Sequence, residues 1–171
     1  MKRSEMASLV QELFTAKVEH AKLTNDDTEM RLGAPSKDAQ LLAIEEAMGA
    51  PLPPSYRAFL ELHDGWRGFT GGLDILSSNE RNDTTYTQNI ASLLDAHSDI
   101  AEAERVPAQA IYVAASKDDS SLVYLDPRER RPDGEMAVVE YGREGEADRH
   151  ESFAAFLQSH LALTRELIAE A

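Results

Sequence analysis

Apolar residues recur at helical spacing in five stretches of the chain, and in shorter stretches they alternate or cluster as in strands. The first helical stretch contains Met6, Leu9, Val10, Leu13 and Phe14. Their spacing of three and four positions predicts an amphipathic helix over residues 4 to 22, with a polar loop after it that extends to residue 30. The apolar stripe could pack on the rest of the domain or pair with another protein.

Two adjacent stretches predict a corner made of two short helices. In the first stretch, Ser36 is a residue type that caps helices and Gly49 is one that ends them. The apolar positions between them are Leu41, Leu42, Ile44, Ala47 and Met48. Only a few residues separate Gly49 from the next predicted helix, so we expect the two helices to form a compact corner.

The second of these helices lies in the sequence PLPPSYRAFLELHDGW, residues 51 to 66. Pro53 and Pro54 suit its first turn, because the backbone N–H that proline lacks has no intrahelical partner there. The residues spaced as one helical face are Tyr56, Phe59, Leu60 and His63. We therefore expect a buried helix over residues 54 to 63, which Gly65 ends in a left-handed conformation.

The composition then changes from helical patterns to turns and strands. The clustered glycines are Gly65, Gly68, Gly71 and Gly72, which indicate unusual φ angles, without the Gly-x-x-x-x-Gly-Lys pattern of a phosphate-binding loop. The predicted strand segments are 73–76, 111–113, 122–125 and 136–141. The links between the last three are a hairpin turn at Lys117–Ser120 and a charged loop over 127–135. Links this short favour an antiparallel meander.

Two further helices complete the pattern. Residues 86 to 105 carry an apolar stripe of Ile90, Leu93, Leu94 and Ala101. Ser152 caps the last helix, whose stripe contains Phe153, Phe156, Leu157, His160, Leu161, Thr164 and Ile168. The elements together predict one α+β domain over residues 1–171, with an antiparallel sheet of about five or six strands and helices packed mainly on one side.

These motifs resemble the SUKH superfamily, whose Smi/Knr-type members include fungal cell-wall regulators and bacterial immunity proteins. The residues that carry the resemblance are Ile44, Met48, Gly49, Leu52, Pro53, Tyr56, Phe59, Leu60, Asp64 and Gly65. The family more often has asparagine before the last of these glycines, so Asp64 departs from its pattern. The resemblance covers residues 36 to 160, leaving 1–30 as an N-terminal helix and loop and 161–171 as the end of the C-terminal helix.

The charge of the chain restricts the class of partner, and its cysteine content restricts the chemistry. The 31 acidic and 17 basic residues give a net charge of −14, which repels nucleic acid and anionic lipid and attracts basic proteins, although the charge could also serve solubility alone. The absence of cysteine excludes disulfides, thiol nucleophiles and thiolate metal sites. No apolar run approaches the roughly 20 residues of a membrane span, and polar residues interrupt any signal peptide at the N-terminus. We therefore expect a cytoplasmic protein without membrane contact.

No catalytic, metal or cofactor site is predicted. His63 and His160 lie on apolar helix faces without metal-ligand spacing, so we expect them to be partly buried histidines. Asp126 follows a predicted strand, where it could start a turn or act as a catalytic carboxylate; the turn is favoured. Asp118 and Asp119 could hold a cation, but a solvated turn is favoured. We expect a protein that is not an enzyme and carries no cofactor.

The segment from Asp74 to Arg105 is the most acidic part of the chain, with seven acidic and two basic residues. We expect it to contact a basic partner, with an aromatic residue as a buried anchor. The residues predicted to contact the partner are Trp66, Asp74, Glu80, Asp83, Tyr86, Asp95, Asp99, Glu102 and Glu104. For Trp66, a place in the core is the alternative to an exposed anchor.

The resemblance implies a non-enzymatic immunity protein that neutralises a cognate toxin. Family toxins are often nucleases, which are basic because they bind phosphates, so an acidic chain suits that role. Two other functions stay open: a regulatory protein-interaction scaffold of the Smi/Knr type, and a domain that binds a small ligand or has an unrecognised active site. A deep apolar pocket with converging polar groups would favour the last of these.

Overall fold

A computed structural model of the protein describes residues 1–96, 105–118 and 120–171. In these residues the chain forms five α-helices, a short 3-10 helix at Glu80–Asn82 and seven strands. The helices are α1 (Arg3–Thr24), α2 (Asp38–Met48), α3 (Pro54–Leu60), α4 (Thr84–Ala96) and α5 (Phe153–Glu170). The strands are β1 (Arg31–Leu32), β2 (Trp66–Thr70), β3 (Leu73–Ile75), β4 (Ile111–Ser116), β5 (Ser121–Arg130), β6 (Met136–Gly142) and β7 (Gly145–His150).

The strands form one sheet in which each strand pairs with the next along the chain. The order is β1 through β7, and all the pairings are antiparallel. This confirms the predicted α+β class and the antiparallel meander. The sheet has seven strands because β1, β2 and β7 add to the four strands that the apolar pattern identifies.

The two faces of the sheet bury separate apolar cores. One core contains residues of α1, α2, α3 and α5 together with alternate sheet residues such as Val123 and Val138. The other is covered by α4 and contains Tyr86 and Ile90 together with the neighbouring sheet residue Val139. Four of the five helices described therefore share one face, as predicted.

The helix α1 packs on the domain, which confirms the first of its two possible uses. Its residues Met6, Val10 and Leu13 are buried in the larger core, and the helix contacts α5 and α3. Among the described residues, no helix combines the length and apolar character needed to cross a membrane.

The boundaries of α2 and α3 differ from the predicted ones; α4 begins at Thr84 and not at residue 86, and residues 97–104 of that predicted helix lie outside the described residues. The N-cap of α2 is Lys37, where the Gln40 side chain accepts a hydrogen bond from the Lys37 backbone N–H, so the prediction of Ser36 as the cap is wrong. The helix α3 ends at Leu60 and not at residue 63. Gly49 ends α2 with a φ of 66°, as predicted.

The strand β5 is longer than its apolar pattern indicates. It continues past Pro127 to Arg130, and the register between Asp126 and Arg130 is irregular where it pairs with β6. The segment predicted as one charged loop is therefore a strand followed by a short turn. A buried carboxylate next to this turn, Glu135, accepts hydrogen bonds from the backbone and hydroxyl of Ser55 and so holds the start of α3 against the sheet.

Candidate functional site

A cavity of about 880 Å³ lies between α2 and α4, beside the segment that leads into β4. This volume falls within the range of small-molecule sites in proteins. Both helices line it with residues on one face each, Ala39, Ala43 and Ala47 on α2 and Thr87, Ala91 and Leu94 on α4. Because most of these side chains are small, the two helices leave a groove between them that no described side chain fills.

Arg81 lines this cavity from the 3-10 helix. Its Nη1 donates to the carbonyl oxygen of Tyr112 at 2.5 Å, and its guanidinium lies 5.5 Å from the centre of the Tyr56 ring. Its Nε and Nη2 are shielded from solvent and have no hydrogen-bond partner among the described residues. Burial lowers the pKa of Arg81 to about 10, so the group stays charged at neutral pH.

The edge of the cavity nearest α3 is fixed by a polar network around Asp64. The Asp64 carboxylate accepts hydrogen bonds from the backbone and the hydroxyl of Ser78, at 2.8 and 2.7 Å, and from Gln40 of α2 at 3.2 Å. Gly65, next to it, has a φ of 90°, and a Cβ there would lie 2.8 Å from the carbonyl oxygen of Ile75. The Asp-Gly pair therefore joins α2 to the loop after β3; it does not end α3.

The structure places both aromatic candidates for a partner anchor in the interior. Trp66 is fully buried, with its ring 5.7 Å from Phe14 and 5.2 Å from Phe69. Tyr86 is buried in the smaller core, and its hydroxyl donates to Asp74 at 2.7 Å. The core alternative for Trp66 is confirmed, and the prediction that either ring is an exposed anchor is wrong, because both complete the apolar cores.

Two of the predicted acidic contacts also have internal partners. Asp74 is buried and accepts hydrogen bonds from Tyr86 and from the backbone of Gly68 at 2.6 Å. Glu80 forms an ion pair with Arg67. These carboxylates organise the chain between β2 and α4. The prediction that Asp74 faces a partner is wrong because Asp74 is buried, and the contact of Glu80 with a partner stays a prediction.

The remaining acidic candidates divide into two groups. Asp83 and Asp95 are exposed at opposite ends of α4, the helix that forms one wall of the cavity. Asp99, Glu102 and Glu104 lie outside the residues that the structure describes. Within the described part of the chain, the exposed acidic candidates next to the cavity are therefore Asp83 and Asp95.

A second polar cluster lies where α5 crosses β6 and β7. It joins Glu140 of β6 with His150 of β7 and His160 of α5. Burial alone would raise the pKa of Glu140, but the two histidines outweigh that effect and lower its pKa to about 2. Lys17 of α1 is attracted by the same carboxylate, although burial dominates and lowers the pKa of Lys17 to about 8.

Sequence reasoning missed this second cluster because it did not predict β7. His150 lies in a polar segment without apolar alternation, and its spacing from His160 matches no metal-ligand motif. A prediction of the β6–β7 hairpin would have revealed the cluster, because this hairpin places Glu140 opposite Asp148 in the sheet.

The two other carboxylates considered for chemistry are structural in the described residues. Asp126 is buried inside β5 and forms ion pairs with Arg128 at 2.7 Å and Arg149 at 3.3 Å, so it neither starts a turn nor faces a cleft. Asp118 accepts hydrogen bonds from Ser120 within the β4–β5 turn. Asp119 lies outside the described residues.

Comparison with known proteins gives one family match. The model of the SUKH_5 family, described as SMI1-KNR4 cell-wall, matches residues 6–162. This range includes the whole sheet and the five described helices, apart from the start of α1 and the end of α5. No curated protein matches the chain.

Proposed function

The chain belongs to the SUKH (SMI1-KNR4) family, and on this premise we propose that it is a non-enzymatic protein-binding domain that neutralises a basic toxin. The net charge of −14 supports this proposal, because complementary charge attracts a basic partner from a distance and speeds encounter. A toxin that cleaves nucleic acid has to bind phosphates and is therefore basic. Such a toxin is the partner class that suits this chain best.

The observation that carries the proposal is the groove between α2 and α4. It combines an apolar lining with exposed carboxylates, Asp83 and Asp95, at the two ends of one of its walls. Protein interfaces gain most of their affinity from a few buried anchors, while charges around them raise the association rate. We infer that an apolar side chain of the toxin enters the groove while basic residues beside it meet α4.

Growth of cells that produce a toxin tests the proposal. The gene next to the one for this chain is expressed alone and together with the full chain, and growth and binding of the purified proteins are measured. We expect toxicity from the neighbour alone, rescue by the chain and a one-to-one complex. A variant with Ala43→Arg and Ala91→Arg, which fills the groove, should lose both rescue and binding.

The matched control is a variant with Ala162→Arg and Ala169→Arg, which places the same charges on exposed positions of α5. It should rescue growth fully. A salt-insensitive interaction with many unrelated proteins, without rescue, would contradict the proposal and favour a regulatory scaffold.

A small-ligand site is the second candidate function, favoured by Arg81. A buried charge without a counter-charge is costly, and a ligand carboxylate could accept hydrogen bonds from Nε and Nη2 together.

The test of this second function compares octanoate with octanol, since the two differ only in the charged group. Octanoate alone should raise the melting temperature, and Arg81→Met should abolish this effect while Arg165→Met, at an exposed ion pair, should not. Equal shifts with octanoate and octanol would contradict this assignment.

A further inference from the structure

The cluster between β6, β7 and α5 has the chemistry and spacing of a metal site. Asp148 and Glu140 are partners across the β6–β7 hairpin, and His150 lies two residues after Asp148, so all three side chains are on one face of the sheet. One ligand atom from each of the three lies within 4.8 Å of the other two. The helix α5 covers this face and brings His160 to the same carboxylate.

The distances between these groups suit a single cation. His150 Nε2 is 2.8 Å from Glu140 Oε1 and 3.6 Å from Asp148 Oδ2, and His160 Nε2 is 3.4 Å from Glu140 Oε1. Zinc–ligand bonds of about 2.0–2.1 Å in a tetrahedron place neighbouring ligand atoms roughly 3.3–3.4 Å apart. The ligand atoms of Glu140, Asp148 and His150 therefore need only small movements to surround a zinc ion, while His160, which lies near Glu140 but outside this group of three, has to move further to become the fourth ligand.

His160 is the independent observation that points to a ligand. Its side chain is about nine-tenths buried, and its Nε2 has no hydrogen-bond partner of good geometry among the described residues, although it lies 3.4 Å from Glu140 Oε1. A buried nitrogen without a partner is unfavourable, and a metal ion would supply one. The ring is held in place between Phe69 and Phe156, at 4.8 and 4.7 Å between ring centres.

We propose that Glu140, Asp148, His150 and His160 form a binding site for a divalent transition metal, with zinc as the preferred ion. Imidazole and carboxylate groups are ordinary zinc ligands, and histidine pairs favour transition metals over magnesium or calcium. The exposed side chain of Asp148 marks the solvent side, through which the ion enters. Zinc joins the C-terminal helix to the outer hairpin of the sheet and so stabilises the domain independently of any partner.

Zinc titration of the full chain tests this proposal. Zinc-free protein is titrated with zinc chloride by calorimetry and in competition with a chromophoric chelator. We expect one zinc ion per chain and a higher melting temperature with zinc. Cobalt(II) in its place should give the intense visible absorption of a four-coordinate site.

Three variants locate the ion, and one serves as a control. His150→Gln and His160→Gln should each weaken zinc binding by more than about 10–100-fold, the effect already typical of losing a residue that only supports a ligand. Asp148→Asn removes an exposed ligand without a risk to folding and should also weaken it. His63→Gln alters a partly buried histidine outside the cluster, whose Nδ1 lies 3.0 Å from the Gly33 carbonyl oxygen, and should leave binding unchanged.

A variant of Lys17 tests the proposal in the opposite direction, because it should raise the affinity for zinc. Its ammonium is attracted by Glu140, so it competes with a cation for the same carboxylate. Lys17→Met should therefore tighten zinc binding, while all the ligand variants weaken it. The absence of saturable zinc binding, or binding that is equal in Asp148→Asn and the unaltered chain, would overturn the proposal and leave an ion-pair network of histidines and carboxylates.

Discussion

Phe59 is the residue on which the larger core depends most directly. Its side chain is fully buried and its ring lies 5.2 Å from that of Phe153, so it joins α3 to α5. Phe59→Ala should lower the free energy of unfolding by about 3–5 kcal/mol, as truncation of a buried phenylalanine does. Urea denaturation measures this loss. Leu42→Ala, at a leucine that is 56% exposed, is the control and should cost little; a loss below about 1 kcal/mol for Phe59→Ala would refute the core assignment.

Lys17 makes the free energy of unfolding depend on pH, over a pH range that its pKa values in the folded and unfolded states set. Burial lowers this pKa from 10.5 to about 8 in the folded state, so between these values the unfolded chain binds the extra proton. The free energy of unfolding should then rise with pH from about 8 by at most about 1.4 kcal/mol per pH unit. The gain is absent below pH 8 because the ammonium is charged in both states.

The measurement compares urea denaturation of the unaltered chain and Lys17→Met between pH 7 and 9.5. The range stops there because burial also raises the pKa of Tyr124 to about 12, which lowers stability once tyrosines of the unfolded chain ionise. Lys17→Met should be the more stable protein at pH 7, and the difference should shrink as the pH rises. A constant difference across the range would show that Lys17 is not the titrating group.

The link between α3 and β2, residues 61–65, contains a glycine whose conformation and surroundings both exclude a side chain. Gly65→Ala should destabilise the domain by more than about 1–3 kcal/mol, because it adds a steric clash with the carbonyl oxygen of Ile75 to the strain of a positive φ. Gly71→Ala is the matched control, since Gly71 also has a positive φ but open space around its Cβ position. Chemical denaturation of both variants separates the two effects, and equal losses would contradict a role for the close contact.

The link between α3 and β2, together with β7, shows which parts of the fold the sequence patterns could predict. Helical periodicity identified all five helices, because each buries one continuous apolar stripe. It did not identify β7, whose residues from Gly145 to His150 are mostly polar and show no apolar alternation. Gly65 was predicted to end a helix because a glycine after an aromatic face has that use most often; its contact with Ile75 depends on a distant strand that the local pattern cannot reveal.

The functional residues were predicted less well than the elements for a related reason. Acidic and aromatic residues were grouped by their position in the sequence, whereas their exposure depends on the tertiary fold. Asp74 and Trp66 proved to be interior, while Asp83 and Asp95 proved to be exposed. The cavity with Arg81 joins three separated segments of the chain, so no single stretch contains a signal for it.

At the scale of the whole molecule, two hypotheses for the association rate differ. Either the net charge alone sets the rate, or the charges beside the groove set it. Reversal of Asp83 and Asp95 to lysine should slow association with the toxin several-fold at low salt and flatten its salt dependence, because it removes attraction beside the groove. Reversal of Glu166 and Glu170 to lysine changes the net charge equally but on exposed positions of α5. Stopped-flow association at two ionic strengths compares the two variants, and equal slowing would show that only the total charge matters.

The contact between α1 and α5 joins the two ends of the domain. The two helices pack together over the larger core, and Arg165 forms an ion pair with Glu12 at 2.9 Å. On the ribosome, the hairpins of the meander can pair one after another as they emerge, since each strand needs only its predecessor. The apolar stripe of α1 has to wait for α5, which is made after the whole sheet. Until α5 emerges, a nascent chain exposes the part of this stripe that α5 covers, and a chaperone that binds it would delay only the closing of the core between α1 and α5.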